Sequence, residues 1–494
     1  MRKFFLVFAL ARAAALAADL PVVAPATAEP AADATLAARI ARIESGLLPP
    51  ARIAGTRSAP WTIEARMKFY KIPGVSLAVI DGGALEWARG YGVARAGEPA
   101  PVTVDTLFQA ASISKPVTAA AALTLVDAGQ LALDTDANAK LISWKIPASP
   151  AAAGQPVTLR EILSHTAGFN VHGFDGYAAG APRPTLLQVL DGVRPANSEP
   201  IRLTLPPGSQ WRYAGGGYCV AQQLLIDVTG EDFPTLMRSR VLTPAGMAAS
   251  TFEQPLPASL VPRATAGHRS DGQRVEGDAH IYPEMAAAGL WTTPSDLARF
   301  ALALQHSFAG EPGLLSREAA RQMFTPPLAG SNYGLGIGVE GDGENFQLGH
   351  NGGTEGFRCA LVAYPRAGRG AIVMTNSDNG GPLLNEILRA VAREYGWPDY
   401  RVVEKSAVPL APEAFDAFVG RYEREDTTLA VFRSGGRFYL RFAGRPRVEI
   451  FPQSGHEFFS LDEPDVFAFE RDASGRVTHL VRRSAPPQIF MPVR

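Results

Sequence analysis

Ser112-Ile-Ser-Lys115 puts a hydroxyl and an ammonium three residues apart, where the apolar stretch 106–111 gives way to an amphipathic helical pattern. Residues three apart share a helix face, so the lysine lies within reach of the hydroxyl. A serine in the first helical turn also stands near unpaired backbone N–H groups and the positive end of the dipole. Its hydroxyl is a poor nucleophile until a neighbour takes the proton. A lysine partly desolvated in a cleft has a lowered pKa and can be that neighbour. The same letters also describe a capping serine beside a solvated lysine, so the motif needs company.

Three further segments carry groups that could converge on Ser112. Thr158-Leu-Arg-Glu-Ile-Leu-Ser-His165-Thr-Ala-Gly runs from a helix into a tight turn. Gln210-Trp-Arg-Tyr213-Ala-Gly215-Gly-Gly-Tyr218 puts a phenol before a glycine-rich helix start. Gln347-Leu-Gly-His350-Asn351-Gly352-Gly353-Thr-Glu355-Gly places a histidine triplet beside a strand. His165 invites a triad with Ser112, but a turn histidine whose ring bonds backbone groups fits better. Glu355 reads equally as a substrate contact or a turn carboxylate. Gly352, Gly353 and Gly356 suit close backbone approach.

The elements that must position these groups follow in a definite order. Short helices are expected near residues 36–47 and 63–70, then a hairpin of strands 75–80 and 84–89 turning at Asp81-Gly-Gly. Helical spacing dominates from Ser112 to about Arg240, at 113–128, 158–164, 185–192 and 218–229, and returns at 294–305 and 315–324. Strand patterns reappear at 333–339, 357–364 and 370–375, before a helix at 382–395. Strands, helices, strands and a helix make one mixed domain whose sequence-distant strands share a sheet, with the helices as a second lobe and a cleft between lobes as the default site. After a Pro-containing linker at 398–411, short alternating runs over 412–494 predict an antiparallel β module, a small barrel or curled sheet. Phe438, Tyr439, Phe442, Phe458, Phe459, Phe467 and Phe469 are its expected core.

With the motifs in this order, the chain resembles the penicillin-recognising serine hydrolases, the group of class C β-lactamases, DD-peptidases and esterases read by Ser-x-x-Lys, Tyr-x-Asn and a Lys-Thr-Gly or His-x-Gly triplet. The resemblance spans residues 55–395 and extends to Ile72-Pro-Gly-Val-Ser-Leu-Ala-Val, Leu163-Ser-His-Thr-Ala-Gly, Pro244-Ala-Gly-Met and Ala288-Gly-Leu-Trp-Thr-Thr-Pro-Ser-Asp. It implies an α+β, β-lactamase/transpeptidase-like fold, an antiparallel sheet flanked by helices with a helical lobe. It implies Ser112 as nucleophile, Lys115 as its proton partner, and Tyr213 as a phenol whose anion the lysine charge favours. By the same resemblance His350 shapes a cationic site and the Tyr213 hydrogen-bond network. The N–H groups of Ser112 and Gly353 would form the oxyanion hole, with Gly215, Asn351 and Gly352 lining the site. No metal or cofactor is implied. The departure is Gly215, where the group often has an asparagine that holds a substrate acylamino group. Ester or peptide-amide hydrolysis is therefore expected ahead of cephalosporin hydrolysis. A DD-carboxypeptidase, a β-lactamase, or a non-catalytic binder that kept the fold are the rival readings.

The rest of the chain sets bounds. Its 494 residues, 46% of them hydrophobic, can bury a large core. Lys and Arg (47) balance Asp and Glu (48) for a net charge of −1, which gives no footing for nucleic acid or for electrostatic membrane docking. Met1-Arg-Lys, the apolar run Phe4–Leu10 and Ala15-Leu-Ala17 read as a signal peptide over 1–18, too short for a stable anchor. Residues 19–54 follow as a lead-in, then the hydrolase domain at 55–397. A secreted or periplasmic protein acting on a small-molecule or peptide substrate is expected. Cys219 and Cys359 are expected as two buried free thiols.

Overall fold

A computed structural model describes residues 36–493 apart from 57, 58, 426, 444–446, 464, 485 and 486. The leader expected at 1–18, and the lead-in as far as residue 35, lie outside these. Two compact units emerge, one spanning Ile63–Leu388 and the other joining the residues up to Thr62 with those from Arg389 onward.

The larger unit is built on a six-stranded antiparallel sheet. Its strands are β1 (Gly74–Asp81), β2 (Ala84–Gly92), β3 (Gly338–Glu340), β4 (Gln347–Thr354), β5 (Phe357–Tyr364) and β6 (Arg369–Thr375), in the order β2-β1-β6-β5-β4-β3. The β1–β2 hairpin turns where expected, with Asp81 opposite Ala84 and with Gly82 and Gly83 at φ +57° and +74°, a conformation glycine adopts without penalty. Val75, Leu77, Ala78, Val79 and Ile80 are all fully buried, so β1 is covered on both faces. Its apolar run pairs on one side with β2 and on the other with β6, nearly 300 residues away in sequence, from Val75 opposite Thr375 to Ile80 opposite Gly370. The fold class read from the sequence is the one observed.

The helices differ from expectation in one useful way. Helix α1 (Ser114–Asp127) was expected to be amphipathic, yet it buries 11 of its 14 residues. The small side chains Ala119 to Ala122 let neighbours approach it from several sides, so it runs through the core rather than along the surface. Helix α2 (Gly215–Thr229) starts three residues earlier than expected and buries Gly215 through Leu225.

The strand expected at 333–339 forms only at its end, as β3. A Cβ on Gly334 would lie 2.1 Å from the Met323 carbonyl oxygen, and one on Gly336 (φ +81°) 2.6 Å from Ala119 Cβ. The alternating glycines serve close approach to helices, and close approach bends the chain out of the sheet. His350 to Gly352, in turn, lie within a strand rather than beside one.

In the smaller unit, eight antiparallel strands from Gly420–Arg424 to Gln488–Pro492 close into a barrel. Four of them follow the alternating runs. The other four are too short or too mixed in composition to announce themselves. Phe438, Phe458, Phe467 and Phe469 fill the interior as expected, with Phe442 packed at its margin. Tyr439 and Phe459 do not join that cluster; they stack on Phe432 and Phe451, because neighbours along a strand face opposite sides. Phe415 and Phe418, from the turn of helix before the first strand, complete the core, with Phe415 stacked 4.2 Å from Phe438.

One contact joins the sheet of the larger unit to the Ser112 turn. A Cβ on Gly352 would lie 2.3 Å from the Ala110 carbonyl oxygen and 2.4 Å from Cys359 Sγ. Only glycine lets β4 lie this close. Gly352→Ala should therefore destabilise the protein by about 1–3 kcal/mol through overpacking and lower activity further by displacing β4; thermal unfolding monitored by circular dichroism, beside an ester-hydrolysis assay, checks both.

Candidate active site

Ser112 lies in a single 3-10 turn, Ala111–Ile113, just ahead of α1 rather than in its first turn. The residue before it, Ala111, has φ +50°, a left-handed conformation that costs a residue with a Cβ. Several bonds hold the turn in this state. Ser114 Oγ donates to the Ala111 carbonyl at 2.6 Å and accepts the Leu290 N–H at 3.0 Å. The Ala110 N–H donates to the Leu290 carbonyl at 2.8 Å, and the Cys359 thiol donates to the Ala110 carbonyl at 3.0 Å. Burial pushes the Cys359 thiol up to about 12, so it stays a thiol and a donor. Both cysteines are free and buried.

Lys115 projects from the start of α1 with only 2% of its surface exposed. Its Nζ lies 3.0 Å from Ser112 Oγ and 2.8 Å from the carbonyl oxygen of Ala287, in the short helix α3 (Met285–Ala288). Burial lowers its pKa from the usual range to about 7. The amine is thus poised between charged and neutral forms, with one proton committed to Ala287 and the remaining direction facing the serine.

Aromatic rings wall this pair. Tyr213, just ahead of α2, places its ring 4.9 Å from Lys115 Nζ, and Tyr218 within α2 lies at 5.7 Å. Burial raises the Tyr213 phenol well above its normal value, and the nearby Ser112 hydroxyl draws it partly back. The expected phenolate is therefore not favoured: desolvation outweighs a lysine that is itself only half charged. Tyr213 is a neutral hydroxyl, able to give one proton and accept another.

His350 departs from expectation in a related way. Its Nδ1–H donates to the Asn351 carbonyl at 2.6 Å, which leaves Nε2 to accept the Tyr333 hydroxyl at 2.9 Å. Burial, reinforced by the Lys115 charge, lowers its pKa to about 3. The imidazole is neutral, so the site is not made cationic by His350. The Tyr333 phenol is its hydrogen-bonding partner, and the Tyr213 ring lies 6.3 Å away.

His165 behaves as the turn histidine expected. Its Nδ1 accepts the Ala214 N–H at 3.1 Å while its ring stacks 4.2 Å from that of Tyr213. Burial and the nearby Lys115 charge hold it well below the usual histidine range. Glu355 pairs with Arg269 at 2.6 Å, which suits the turn-carboxylate reading.

Gly215 opens α2, and the space beside it is taken. A Cβ there would lie 3.1 Å from the His172 carbonyl oxygen and 3.2 Å from the Phe174 ring. Gly353 follows Gly352 on β4, the strand seated against the Ser112 turn, and Asn351 faces outward on it. Ser114, the Ala287 carbonyl and Tyr333 escaped the sequence reading. Ser114 was inside the motif, but nothing local distinguishes a staple from a spare hydroxyl. Tyr333 reaches the site only because the Gly334–Gly336 bend carries it there.

The Beta-lactamase family profile matches residues 62–395. Penicillin-binding protein 4 of Amycolatopsis lactamdurans is 26% identical over 372 residues, covering 72% of this chain and 94% of that protein. A D-aminopeptidase of Brucella canis is 23% identical over 420 residues, covering 84% and 75%. The octameric penicillin-binding protein homologue of Pyrococcus abyssi shares the fold with a TM-score of 0.61 at 22% identity, over 87% of this chain and 97% of that one. A profile match across two thirds of the chain, over the residues that carry the serine, the lysine and the phenol, makes this protein a member of the Beta-lactamase family of serine hydrolases.

Proposed function

We propose that this protein hydrolyses an ester or amide through an acyl-enzyme on Ser112. The observation that carries the reading is the buried Lys115 amine, 3.0 Å from the Ser112 hydroxyl and with its pKa lowered to about 7. Neutral Lys115 accepts the hydroxyl proton as Oγ attacks the substrate carbonyl carbon. The developing oxyanion is received by the N–H groups of Ser112 and Gly353. Tyr213 donates its proton to the leaving group and regains one from the Lys115 ammonium. Water then enters by the same route in reverse and releases the acid. His350, neutral and bonded to Tyr333, shapes the wall of the site rather than supplying charge.

The D-aminopeptidase relative supports a peptide amide with a D-residue as one form of this substrate. The missing side-chain amide at Gly215, with the His172 carbonyl and Phe174 ring crowding the space beside it, speaks against efficient turnover of β-lactams with acylamino side chains, the rival DD-carboxypeptidase or β-lactamase reading. Nitrocefin, p-nitrophenyl esters and D-alanyl peptides assayed side by side separate these. Turnover of none of them would favour a binding protein.

Ser112→Ala should abolish labelling by a fluorophosphonate probe, and persistent labelling would overturn the assignment. Tyr213→Phe should keep the fold and lower kcat by about 100-fold or more, since it removes one positioned proton donor; steady-state kinetics on a p-nitrophenyl ester reads this. Acylation needs the unprotonated amine, whose pKa is lowered to about 7, so kcat/KM should rise with pH through about 7 and level off above it. Glu284, fully buried next to α3 with its carboxyl raised to about 7, titrates in the same window. Glu284→Gln should leave the limb in place, whereas assignment to Lys115 fails if the limb disappears with Glu284.

A further inference from the structure

In this family site the position after Tyr-x offers a glycine, and the chain fills the resulting gap with its own loop. Residues 170–178 run past the start of α2. The His172 carbonyl and the Phe174 ring lie 3.1 and 3.2 Å from where a Cβ on residue 215 would sit, so a side chain there would be crowded. Gly215 and Gly216 N–H groups donate to the His172 and Val171 carbonyls at 3.0 Å each, so the loop is fastened to the helix start. Residue 215 thus offers a substrate no side-chain amide, and a half-buried phenyl ring lies against it.

On the same rim, an indole is left facing solvent. Trp211 is 38% exposed, although its ring packs within 5.9 Å of Tyr333, 6.3 Å of His165 and 6.4 Å of Tyr213. Every one of those partners is a ring of the active-site wall. His172, exposed, sets its imidazole 5.0 Å from the Tyr213 ring. The rim next to the proton-relay phenol therefore carries Trp211 and His172, both packed against the Tyr213 ring, with Phe174 against Gly215 two residues further along the chain. A large apolar side chain fixed by its neighbours yet open on one face is suited to accept a flat apolar group at little entropic cost.

Resting on the acyl-enzyme reading, we propose that the Trp211–His172–Phe174 shelf selects substrates whose acyl group carries an aromatic or bulky apolar substituent without an acylamino amide. The shelf stacks on the ring of such a substituent, while an amide at that place would be desolvated against the Phe174 ring without the side-chain amide that an asparagine at residue 215 would offer.

The test compares p-nitrophenyl phenylacetate, p-nitrophenyl acetate and the p-nitrophenyl ester of N-acetylglycine on the full-length enzyme, with fluorophosphonate labelling in parallel. The phenylacetyl ester should exceed the acetyl ester by roughly tenfold or more in kcat/KM, most of it in KM, and the N-acetylglycyl ester should gain nothing over acetate. Trp211→Ala should reduce the phenylacetyl preference to within about threefold, and Trp211→Phe should restore most of it. Trp211→Leu, which keeps bulk without a large ring, serves if the alanine variant fails to fold. A preference that survives Trp211→Ala or Trp211→Leu, or an N-acetylglycyl ester that matches the phenylacetyl one, overturns the shelf while labelling of Ser112 continues. Loss of labelling in the unmodified enzyme instead overturns the acyl-enzyme reading beneath it.

Discussion

A lysine amine removed from water, with one hydrogen bond to the Ala287 carbonyl and another to the Ser112 hydroxyl, is the constraint on which the rest of the site depends. Burial disfavours the ammonium and brings its pKa to about 7, and α1 must be a core helix for that burial to exist. The run of alanines along α1 makes this possible. On the same helix the Thr118 hydroxyl donates to the Ala286 carbonyl at 3.3 Å, which helps seat α3 and the Ala287 carbonyl with it.

The aromatic groups around Lys115 are each held in one neutral form. Burial keeps Tyr213, Tyr218 and Tyr333 as phenols, and it keeps His165 and His350 as neutral imidazoles. Their hydrogen bonds are directional as a result. Tyr333 gives its proton to His350 Nε2, and His165 Nδ1 takes the Ala214 N–H, so both imidazoles fix neighbouring backbone or rings. In a low-dielectric site such fixed dipoles act more strongly than they would in water and need no rearrangement during reaction. The strained Ala111 backbone is held by the same logic, through the Ser114 hydroxyl and the Leu290 N–H it accepts.

What could be read in the chain was set by how local its causes are. The β1–β2 hairpin rests on two adjacent glycines, and the Ser112–Lys115 spacing rests on a helical repeat. Both were legible. The β3 region was not, because its glycines answer to Met323 and Ala119, which sit on helices that the local pattern of the segment does not show. Half of the barrel strands were missed for the opposite reason: they are held by their neighbours' hydrogen bonds more than by any alternating pattern of their own.

By itself the sequence determined which groups could do the chemistry, since nucleophile, amine and phenol are matters of residue type and order. Only the tertiary structure decided their protonation states. A pKa depends on desolvation and on neighbours brought from elsewhere in the chain, so the expected phenolate at Tyr213 and the expected cationic site at His350 became a phenol and a neutral ring. It also decided what stands beside Gly215. A missing side chain is visible in one letter, but the ring that fills its place comes from a loop some forty residues earlier.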